Sequence, residues 1–319
     1  MWMGQSSVDF IMAGCKLLDE GNVQSFLDNT DIVLTDCDGV LWRGNQVIPG
    51  AQETIEKLRK LGKKVLFVTN NSTKTRAEYV TKCASLGFPA SEDEIISSSY
   101  VTAHYLKYIV KYTGKVYTVG PQGLAQELNA VGIPNFGTGP DVAENWKFED
   151  YTTLPLDPEV NCVVVGFDKD FSYVKLCRAT AYLRDKGCLF VATNTDTGLP
   201  VNGRFIPGTG TIVAAVSEAA ERRPDIICGK PHLPIFDTVL KLHNVDPKRC
   251  IMIGDRLNTD IELAHNCGLG AALLVLTGCA TLEEVRQKQS SNSIADQRLV
   301  PNFYLPSLAQ LGTLIDSLK

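Results

Sequence analysis

The sequence predicts an α/β fold in which helices cover both faces of a parallel sheet, with a second α/β domain inserted. First, short apolar runs alternate with longer segments of helical periodicity, an order typical of parallel sheets. Second, the runs are followed by glycine or polar residues, and such sheets bind ligands beyond the carboxyl ends of their strands. Third, residues 103–207 contain strand and helix patterns of their own.

The strands and helices of the main sheet follow from these patterns. Each predicted strand is short, apolar and followed by turn-forming or polar residues. The strands are Ile32–Thr35, Lys64–Thr69, Ile95–Ser97, Ile226–Cys228, Cys250–Gly254 and Ala271–Leu276. Each predicted helix has apolar residues on one face, and most end close to a glycine. The helices are Gly50–Leu61, Lys74–Leu86, Gly210–Arg222 and Asn258–Asn266.

The middle of the chain is predicted to be a separate domain. The segments KVYTVG, CVVVGF and LFVATNTD have the pattern of strands, and helix patterns near Gly123–Val131 and Tyr173–Lys186 separate them. Its junctions fall near SSSY (97–100) and PGTG (207–210), which are rich in turn and capping residues. We therefore predict a core over 1–102 and 208–319 and an inserted α/β domain over 103–207.

Composition excludes several functional classes. The chain has 319 residues, is 44% hydrophobic and carries a net charge of −5, which permits a sizeable core but no basic face for nucleic acid. No apolar run reaches the roughly 18 residues of a membrane-spanning helix, and no secretory signal pattern is present. Ten cysteines without a C-x-x-C pair are typical of thiols in a reducing compartment. We predict a soluble, cytoplasmic protein with no nucleic-acid or membrane partner.

Polar residues of different kinds follow four of the predicted strands. Taken singly, each motif has an ordinary explanation: Asp-Gly is common in turns, T-N-N-S is typical of a helix cap, and a lone lysine is usually solvated. All four motifs in this order at strand ends favour a functional site. The residues are Asp36, Asp38, Thr69, Asn70, Asn71, Lys230, Asp255 and Asp260.

The acidic members of this set predict a magnesium site. Ionised carboxylates gathered at one sheet edge repel one another unless a cation compensates them. Oxygen ligands without histidine or cysteine spacing indicate a hard ion such as Mg²⁺. Asp36 and Asp255 are the natural carboxylate pair. Lys230 would balance the remaining negative charge and hold a phosphate as a point charge.

The remaining residues suggest phosphoryl transfer. Asp36 and Asp38 are two positions apart, so they point approximately to the same side of the chain. Asp36 would attack phosphorus, and Asp38 would protonate the leaving alcohol and then activate water. The Thr69 hydroxyl and the backbone N–H groups at Asn70 or Asn71 could bind phosphoryl oxygens, because a helix begins shortly afterwards.

These motifs resemble one protein family. DCDGVLWRG, VTNNSTKTR, the lysine of GKP and GDRLNTDI are similar to the four motifs of the haloacid dehalogenase-like (HAD-like) phosphatases. VVVGFDKDFSYVKL and LFVATNTDTGLPVNGRFIPGTG resemble the large C2a-type α/β cap of its NagD-like and p-nitrophenyl-phosphatase-like members. The similarity runs from about Asp31 to the C-terminus. It implies a Rossmann-like core with an inserted cap, and a homodimer formed through the cap.

The resemblance also implies a role for each residue of the motifs. Asp36 would be the nucleophile and Asp38 the acid/base. The ligands of Mg²⁺ would be Asp36, the backbone carbonyl of Asp38, and Asp255. Asp260 would lie in the next layer and orient these ligands or Lys230. The phosphoryl contacts would be Thr69, Asn70, Asn71 and Lys230.

Within the family, the chain is most similar to phosphatases of phosphoglycolate and glycerol 3-phosphate. The sister subgroup hydrolyses pyridoxal phosphate and has a histidine where this chain has Leu199, which cannot hydrogen-bond the pyridoxal ring. We predict a Mg²⁺-dependent phosphatase of small phosphomonoesters that forms an aspartyl-phosphate. The alternatives are a pyridoxal phosphate phosphatase, a phosphotyrosine protein phosphatase and a non-catalytic phospho-accepting switch.

Overall fold

The computed structural model describes residues 14–141, 146–201 and 204–318. In chain order, its strands are β1 (Lys16–Leu17), β2 (Ile32–Thr35), β3 (Trp42–Arg43), β4 (Gln46–Val47), β5 (Lys64–Thr69), β6 (Ile95–Ser97), β7 (Lys115–Val119), β8 (Asn135–Phe136), β9 (Val160–Val165), β10 (Leu189–Ala192), β11 (Gly198–Val201), β12 (Arg204–Pro207), β13 (Ile226–Ile227), β14 (Cys250–Gly254), β15 (Ala271–Val275) and β16 (Phe303–Leu305).

Helices lie between most of these strands. They are α1 (Val23–Asp28), α2 (Ala51–Lys60), α3 (Arg76–Ser85), α4 (Ser98–His104), α5 (Gln122–Ala130), α6 (Tyr173–Arg184), α7 (Thr209–Ala220), α8 (Leu233–His243), α9 (Glu262–Asn266), α10 (Leu282–Ser290), α11 (Ile294–Gln297) and α12 (Leu308–Ser317). Short 3₁₀ turns occur at Glu92–Glu94, Phe148–Thr153 and Pro247–Arg249, and π turns at Tyr105–Ile109 and Leu257–Ile261. No helix in the described ranges is long and apolar enough to cross a membrane.

The chain divides into two compact units. The first comprises residues 1–69, 80–96 and 230–319, and the second comprises 70–79 and 97–229. This grouping places 208–229 in the second unit, whereas the boundary expected from the sequence lies at 207. The division into a core and a cap over 103–207 stays a prediction.

The first unit contains a seven-stranded sheet within its described residues, in the order β1-β16-β15-β14-β2-β5-β6. The pairings β2–β5, β2–β14, β14–β15, β15–β16 and β1–β16 are parallel. The residues of β2, β14 and β15 are all buried, as expected for strands covered on both faces. The predicted α/β class is confirmed.

The described part of the second unit contains a five-stranded sheet in the order β13-β10-β9-β7-β8, with parallel pairing throughout. One strand assignment was wrong, because Ile226–Cys228 was expected in the main sheet. Ile226 and Ile227 instead pair with Val191 and Ala192 of β10. Both isoleucines are only half-buried, and a two-residue edge strand carries too little pattern to reveal which sheet it joins.

Candidate active site

Three neighbouring strands of the first unit end at the same edge of its sheet. β14, β2 and β5 are parallel and adjacent, with Ile253 opposite Thr35 and Thr35 opposite Phe67. Asp36 directly follows β2, and its N–H donates to the Ile253 carbonyl at 2.8 Å. Asp255 follows β14 in the same way. The parallel register therefore brings these two carboxylates side by side.

A buried cluster of three carboxylates occupies this edge. Oxygen atoms of Asp36, Asp255 and Asp260 lie within 4.8 Å of one another, and the three residues are 9%, 2% and 0% exposed. Burial raises the pKa of each carboxyl group to about 6, and repulsion from a neighbouring carboxylate adds to the effect. The cluster therefore carries more negative charge than its protein surroundings compensate.

Lys230 is the cation within this cluster. Its Nζ donates to Asp36 Oδ1 and Asp260 Oδ1, both at 2.7 Å, and to the Val68 carbonyl at 3.0 Å. The residue is 2% exposed. Burial opposes its charged form, but the carboxylates of Asp260 and Asp36 raise the pKa of this lysine above its usual range. Lys230 therefore remains charged and fixes the orientation of both carboxylates.

The residues of the cluster fit a hard divalent cation. Asp255 Oδ2 accepts from the Cys279 N–H at 2.8 Å, whereas the buried Oδ1 has no hydrogen-bond partner among the described residues. Leaving a buried carboxylate oxygen unpaired is costly. With three carboxylates and one lysine, the site has an excess of negative charge and offers oxygen donors, as Mg²⁺ requires.

Three glycines make room for the acidic side chains. Gly39 has a φ of +90°, and a Cβ there would overlap the Asp255 carboxyl group. A Cβ at Gly278 would overlap the same carboxyl group, and a Cβ at Gly254 would overlap the Asp260 side chain. These positions therefore require glycine for the close approach of a carboxylate to the backbone.

We expect Gly278→Ala to weaken Mg²⁺ binding about tenfold or more and to lower kcat/KM about 100-fold, because the added methyl must displace the Asp255 carboxyl group. Isothermal titration calorimetry with Mg²⁺ and steady-state kinetics would measure both effects. Gly21→Ala is the matched control, since the nearest atom to its Cβ is an oxygen of Asp19 at 3.3 Å. Wild-type Mg²⁺ affinity in the Gly278 variant would contradict this account of the site.

Asp38 differs from the three clustered carboxylates. Its side chain is 47% exposed, and it lies in the turn that joins β2 to β3, where the Gly39 N–H donates to the Trp42 carbonyl at 2.7 Å. Partial burial raises the pKa of Asp38, while Lys82, with its Nζ 4.0 Å from Oδ1, lowers it; the net direction is upward. The structure thus provides one buried carboxylate at the strand end and one accessible carboxyl group two residues later.

Asp260 links Lys230 to the backbone after β14, and its orienting role stays a prediction. Besides accepting from Lys230, it accepts at Oδ2 from the N–H groups of Asp255 at 3.2 Å and Arg256 at 3.1 Å. These bonds join the π turn that carries Asp260 to the end of β14. Asp260 also lies closer to Asp36 and Asp255 than the sequence indicated.

The predicted phosphate-binding residues are divided between the two units. Thr69 is the buried last residue of β5 in the first unit. In the second unit, Asn70 Nδ2 donates to Asp196 Oδ2 at 2.7 Å, and Asn71 Oδ1 accepts from the Thr73 N–H at 2.9 Å. Leu199 lies on β11 in that unit. The binding roles of Thr69, Asn70 and Asn71 stay predictions.

Sequence reasoning missed the loop after β15. The Cys279 N–H donates to Asp255 Oδ2, and the Thr277 hydroxyl donates to the Gly39 carbonyl at 2.6 Å. Gly278, between them, lies against the Asp255 carboxyl group. The signal was available, because L-T-G-C-A ends an apolar run as the other site motifs do.

Profiles of known families match two separate parts of the chain. Residues 33–134 match the haloacid dehalogenase-like hydrolases, and residues 227–310 match a HAD-hydrolase-like profile. The human glycerol-3-phosphate phosphatase is 46% identical over 307 residues, which cover 94% of this chain and 95% of that protein. This chain belongs to the haloacid dehalogenase-like hydrolases. The predicted family is therefore confirmed, and the chain is a phosphomonoester hydrolase of that family.

Two further relatives extend the comparison. Rat chronophin is 39% identical over 306 residues, which cover 94% of this chain and 93% of that protein. The crystal structure of the Mycobacterium tuberculosis glycerol phosphate phosphatase in complex with magnesium superposes with a TM-score of 0.74 at 28% identity. That match covers 90% of this chain and 78% of the other. This HAD-like hydrolase therefore shares both sequence and fold with phosphatases.

Proposed function

We propose that this chain is a Mg²⁺-dependent phosphatase that hydrolyses 2-phosphoglycolate, glycerol 3-phosphate and similar small phosphomonoesters through an aspartyl-phosphate. The observation that carries the proposal is the contrast between two neighbouring acids. Asp36 is buried and held by Lys230 at 2.7 Å, whereas Asp38, two residues later, has a half-exposed carboxyl group. A fixed nucleophile and an accessible proton carrier are the two parts that phosphoester hydrolysis requires.

In the first step, a carboxylate oxygen of Asp36 forms a bond to phosphorus as the ester P–O bond breaks. The electron pair of that bond stays on the leaving oxygen, which takes the proton of the Asp38 carboxylic acid. In the second step, water attacks the aspartyl-phosphate and loses a proton to the Asp38 carboxylate. The bond between phosphorus and Asp36 breaks, the Asp36 carboxylate is restored and inorganic phosphate leaves.

The remaining groups would bind Mg²⁺ and the phosphoryl group and would compensate negative charge at the site. Mg²⁺ would be held by Asp36, the Asp38 carbonyl and Asp255, and when bound it would neutralise charge on the phosphoryl oxygens. Lys230 holds Asp36 in place and adds positive charge where the transferred group binds. The family motif supports phosphoryl contacts from Thr69, Asn70 and Asn71 as well. Asp260 would keep Lys230 and the backbone after β14 in position.

The family resemblance supports a cap and a dimer, and the cysteine usage supports the compartment. Residues 103–207 would act as a cap that limits substrate size and excludes bulk water during the first step. Two chains would associate through their caps, and the enzyme would act in the cytoplasm. The name of the human relative favours glycerol 3-phosphate among the substrates, and that of the mycobacterial relative favours a glycerol phosphate.

A steady-state screen tests the proposal. Purified protein would be assayed with 2-phosphoglycolate, glycerol 3-phosphate, pyridoxal phosphate and a phosphotyrosine peptide, each with Mg²⁺ and with EDTA. We expect kcat/KM to be at least about tenfold higher for the first two substrates, and activity to disappear in EDTA and return with Mg²⁺. Preference for pyridoxal phosphate or the peptide would replace the substrate assignment. A phosphorylated protein stable for hours would instead indicate a phospho-accepting switch.

A further inference from the structure

Lys82 of α3 contacts the turn that carries Asp38. Its Nζ lies 4.0 Å from Asp38 Oδ1 and 4.6 Å from the ring centroid of Trp42. The Lys82 side chain is only 16% exposed, although lysine side chains on helix surfaces are commonly solvated. Both of its partners belong to one short segment, in which Asp38 and Trp42 form a β-bridge with each other.

Trp42 provides a fixed surface for the lysine. The residue is fully buried, and its ring packs edge to face against Phe88, with centroids 5.6 Å apart. The backbone N–H of Trp42 donates to the Cys37 carbonyl at 3.2 Å. A cation over an indole face is attracted to the ring, so the indole restricts where the ammonium group of Lys82 can lie.

Asp38 needs such a restraint more than Asp36 does. Lys230 binds Asp36 directly, whereas the Asp38 side chain is nearly half exposed and belongs to a turn. The Trp42 side chain and the Gly44 backbone also interact with the Asp38 carboxyl group. Small errors of placement reduce general acid catalysis severely, so an ammonium group held nearby adds a useful restraint. At 4.0 Å, the ammonium group attracts Asp38 at a distance longer than a direct hydrogen bond.

We propose that Lys82, held against Trp42, is a positioning residue that orients the Asp38 carboxyl group toward the leaving oxygen of the substrate. This inference rests on the proposed function, because it requires Asp38 to be the general acid. It predicts a selective defect: loss of Lys82 should impair protonation of the leaving group while leaving attack by Asp36 intact.

The experiment compares two esters that differ in their need for a proton. The glycerol alkoxide of glycerol 3-phosphate is a poor leaving group and needs protonation, whereas the nitrophenolate of 4-nitrophenyl phosphate departs without it. We expect Lys82→Met to lower kcat/KM about tenfold or more for glycerol 3-phosphate and less than about twofold for 4-nitrophenyl phosphate. The parameter kcat/KM is the appropriate readout, because it reports the steps up to the first phosphoryl transfer.

Further variants separate positioning from a structural role. Lys82→Arg keeps a cation that can stack on Trp42, and it should restore at least half of the lost activity. Lys60→Met is the matched control, because Lys60 lies on α2 with 78% of its side chain exposed and pairs with Glu56 at 3.9 Å; it should leave both esters unaffected. Thermal unfolding of each variant reports the folded fraction, and a poorly folded Met variant would be replaced by Lys82→Gln.

A double-mutant cycle with Asp38→Asn provides the decisive comparison. If Lys82 acts through Asp38, Lys82→Met should cause no further loss of kcat/KM for glycerol 3-phosphate once Asp38 has been replaced. Any of three results would overturn the proposal: an equal loss of kcat/KM on both esters, additive losses of kcat/KM in the double variant, or no loss of kcat/KM in Lys82→Met. Failure of the proposed function would be recognised separately, because the wild-type protein would then hydrolyse neither ester or Asp36→Asn would remain active.

Discussion

Asp36→Asn is expected to lower turnover of every phosphomonoester by about 10⁴-fold or more, because the amide cannot replace the carboxylate as a nucleophile. The variant should still fold, since Lys230 keeps its bond to Asp260 at 2.7 Å and one buried negative charge has been removed. Steady-state assays with 4-nitrophenyl phosphate and glycerol 3-phosphate in saturating Mg²⁺ would measure the loss.

A matched control lies at the opposite end of the same strand. Asp31 precedes β2 and pairs with Arg249 at 2.6 Å on the protein surface. We expect Asp31→Asn to retain wild-type activity on both substrates. Acid quenching with ³²P-labelled substrate should trap label on the wild-type protein but not on the Asp36 variant. Activity of Asp36→Asn above a few per cent of wild type would remove Asp36 as the nucleophile.

Lys230→Met is expected to reduce both activity and stability. It leaves the Asp36 and Asp260 carboxylates buried without their shared cation, and breaking a buried ion pair typically costs about 3–5 kcal/mol. Urea unfolding in EDTA at pH 7 would measure the stability loss, and kinetics in saturating Mg²⁺ would measure the loss of activity. We expect kcat/KM to fall about 1000-fold or more, because the site loses its fixed positive charge.

The stability loss should depend on pH. The two carboxyl groups have pKa values of about 6 in the folded protein, above the ordinary 3.8, and removal of Lys230 would raise them further. A raised carboxyl pKa means that the folded state binds protons more tightly than the unfolded state, so folding is relatively favoured at low pH. The difference in unfolding free energy between wild type and Lys230→Met should therefore shrink as the pH falls from 7 toward 4.

The second unit contains a matched control for the burial of a lysine. Lys175 is fully buried and its Nζ pairs with Asp168 Oδ2 at 2.6 Å. We expect Lys175→Met to cost a similar unfolding free energy, yet the folded variant should retain its Mg²⁺ affinity and its kcat on 4-nitrophenyl phosphate. If the Lys175 and Lys230 variants lost activity equally, Lys230 would have only a structural role.

Much of the candidate site could be predicted because its residues stand at recognisable strand ends. Asp36, Thr69 and Asp255 each terminate or follow a buried apolar run, and the carboxyl ends of adjacent parallel strands must meet. Lys230 could be predicted for the same reason, because it closely follows the apolar run Ile226–Cys228, although that strand was assigned to the wrong sheet. Its contact with Asp36 joins residues 194 positions apart, and only the motif order suggested that they would meet.

Local patterns were insufficient where a residue's role depends on what packs against it. Gly278 resembles any other turn glycine until the Asp255 carboxyl group is placed beside it. Lys82 has the ordinary appearance of a solvated helical lysine, and its contact with Trp42 and Asp38 arises because α3 packs beside the turn after β2.

The α/β class, the family and the acidic and basic residues at the strand ends could be predicted from the amino-acid order alone, because periodicity and short motifs are local properties of the chain. The folded chain was needed to see that Asp260 joins Asp36 and Asp255 in one cluster around Lys230, that β13 pairs with β10, and that Lys82 lies near Asp38. These features depend on distances between segments far apart in the chain, and such distances are determined by strand register and side-chain packing.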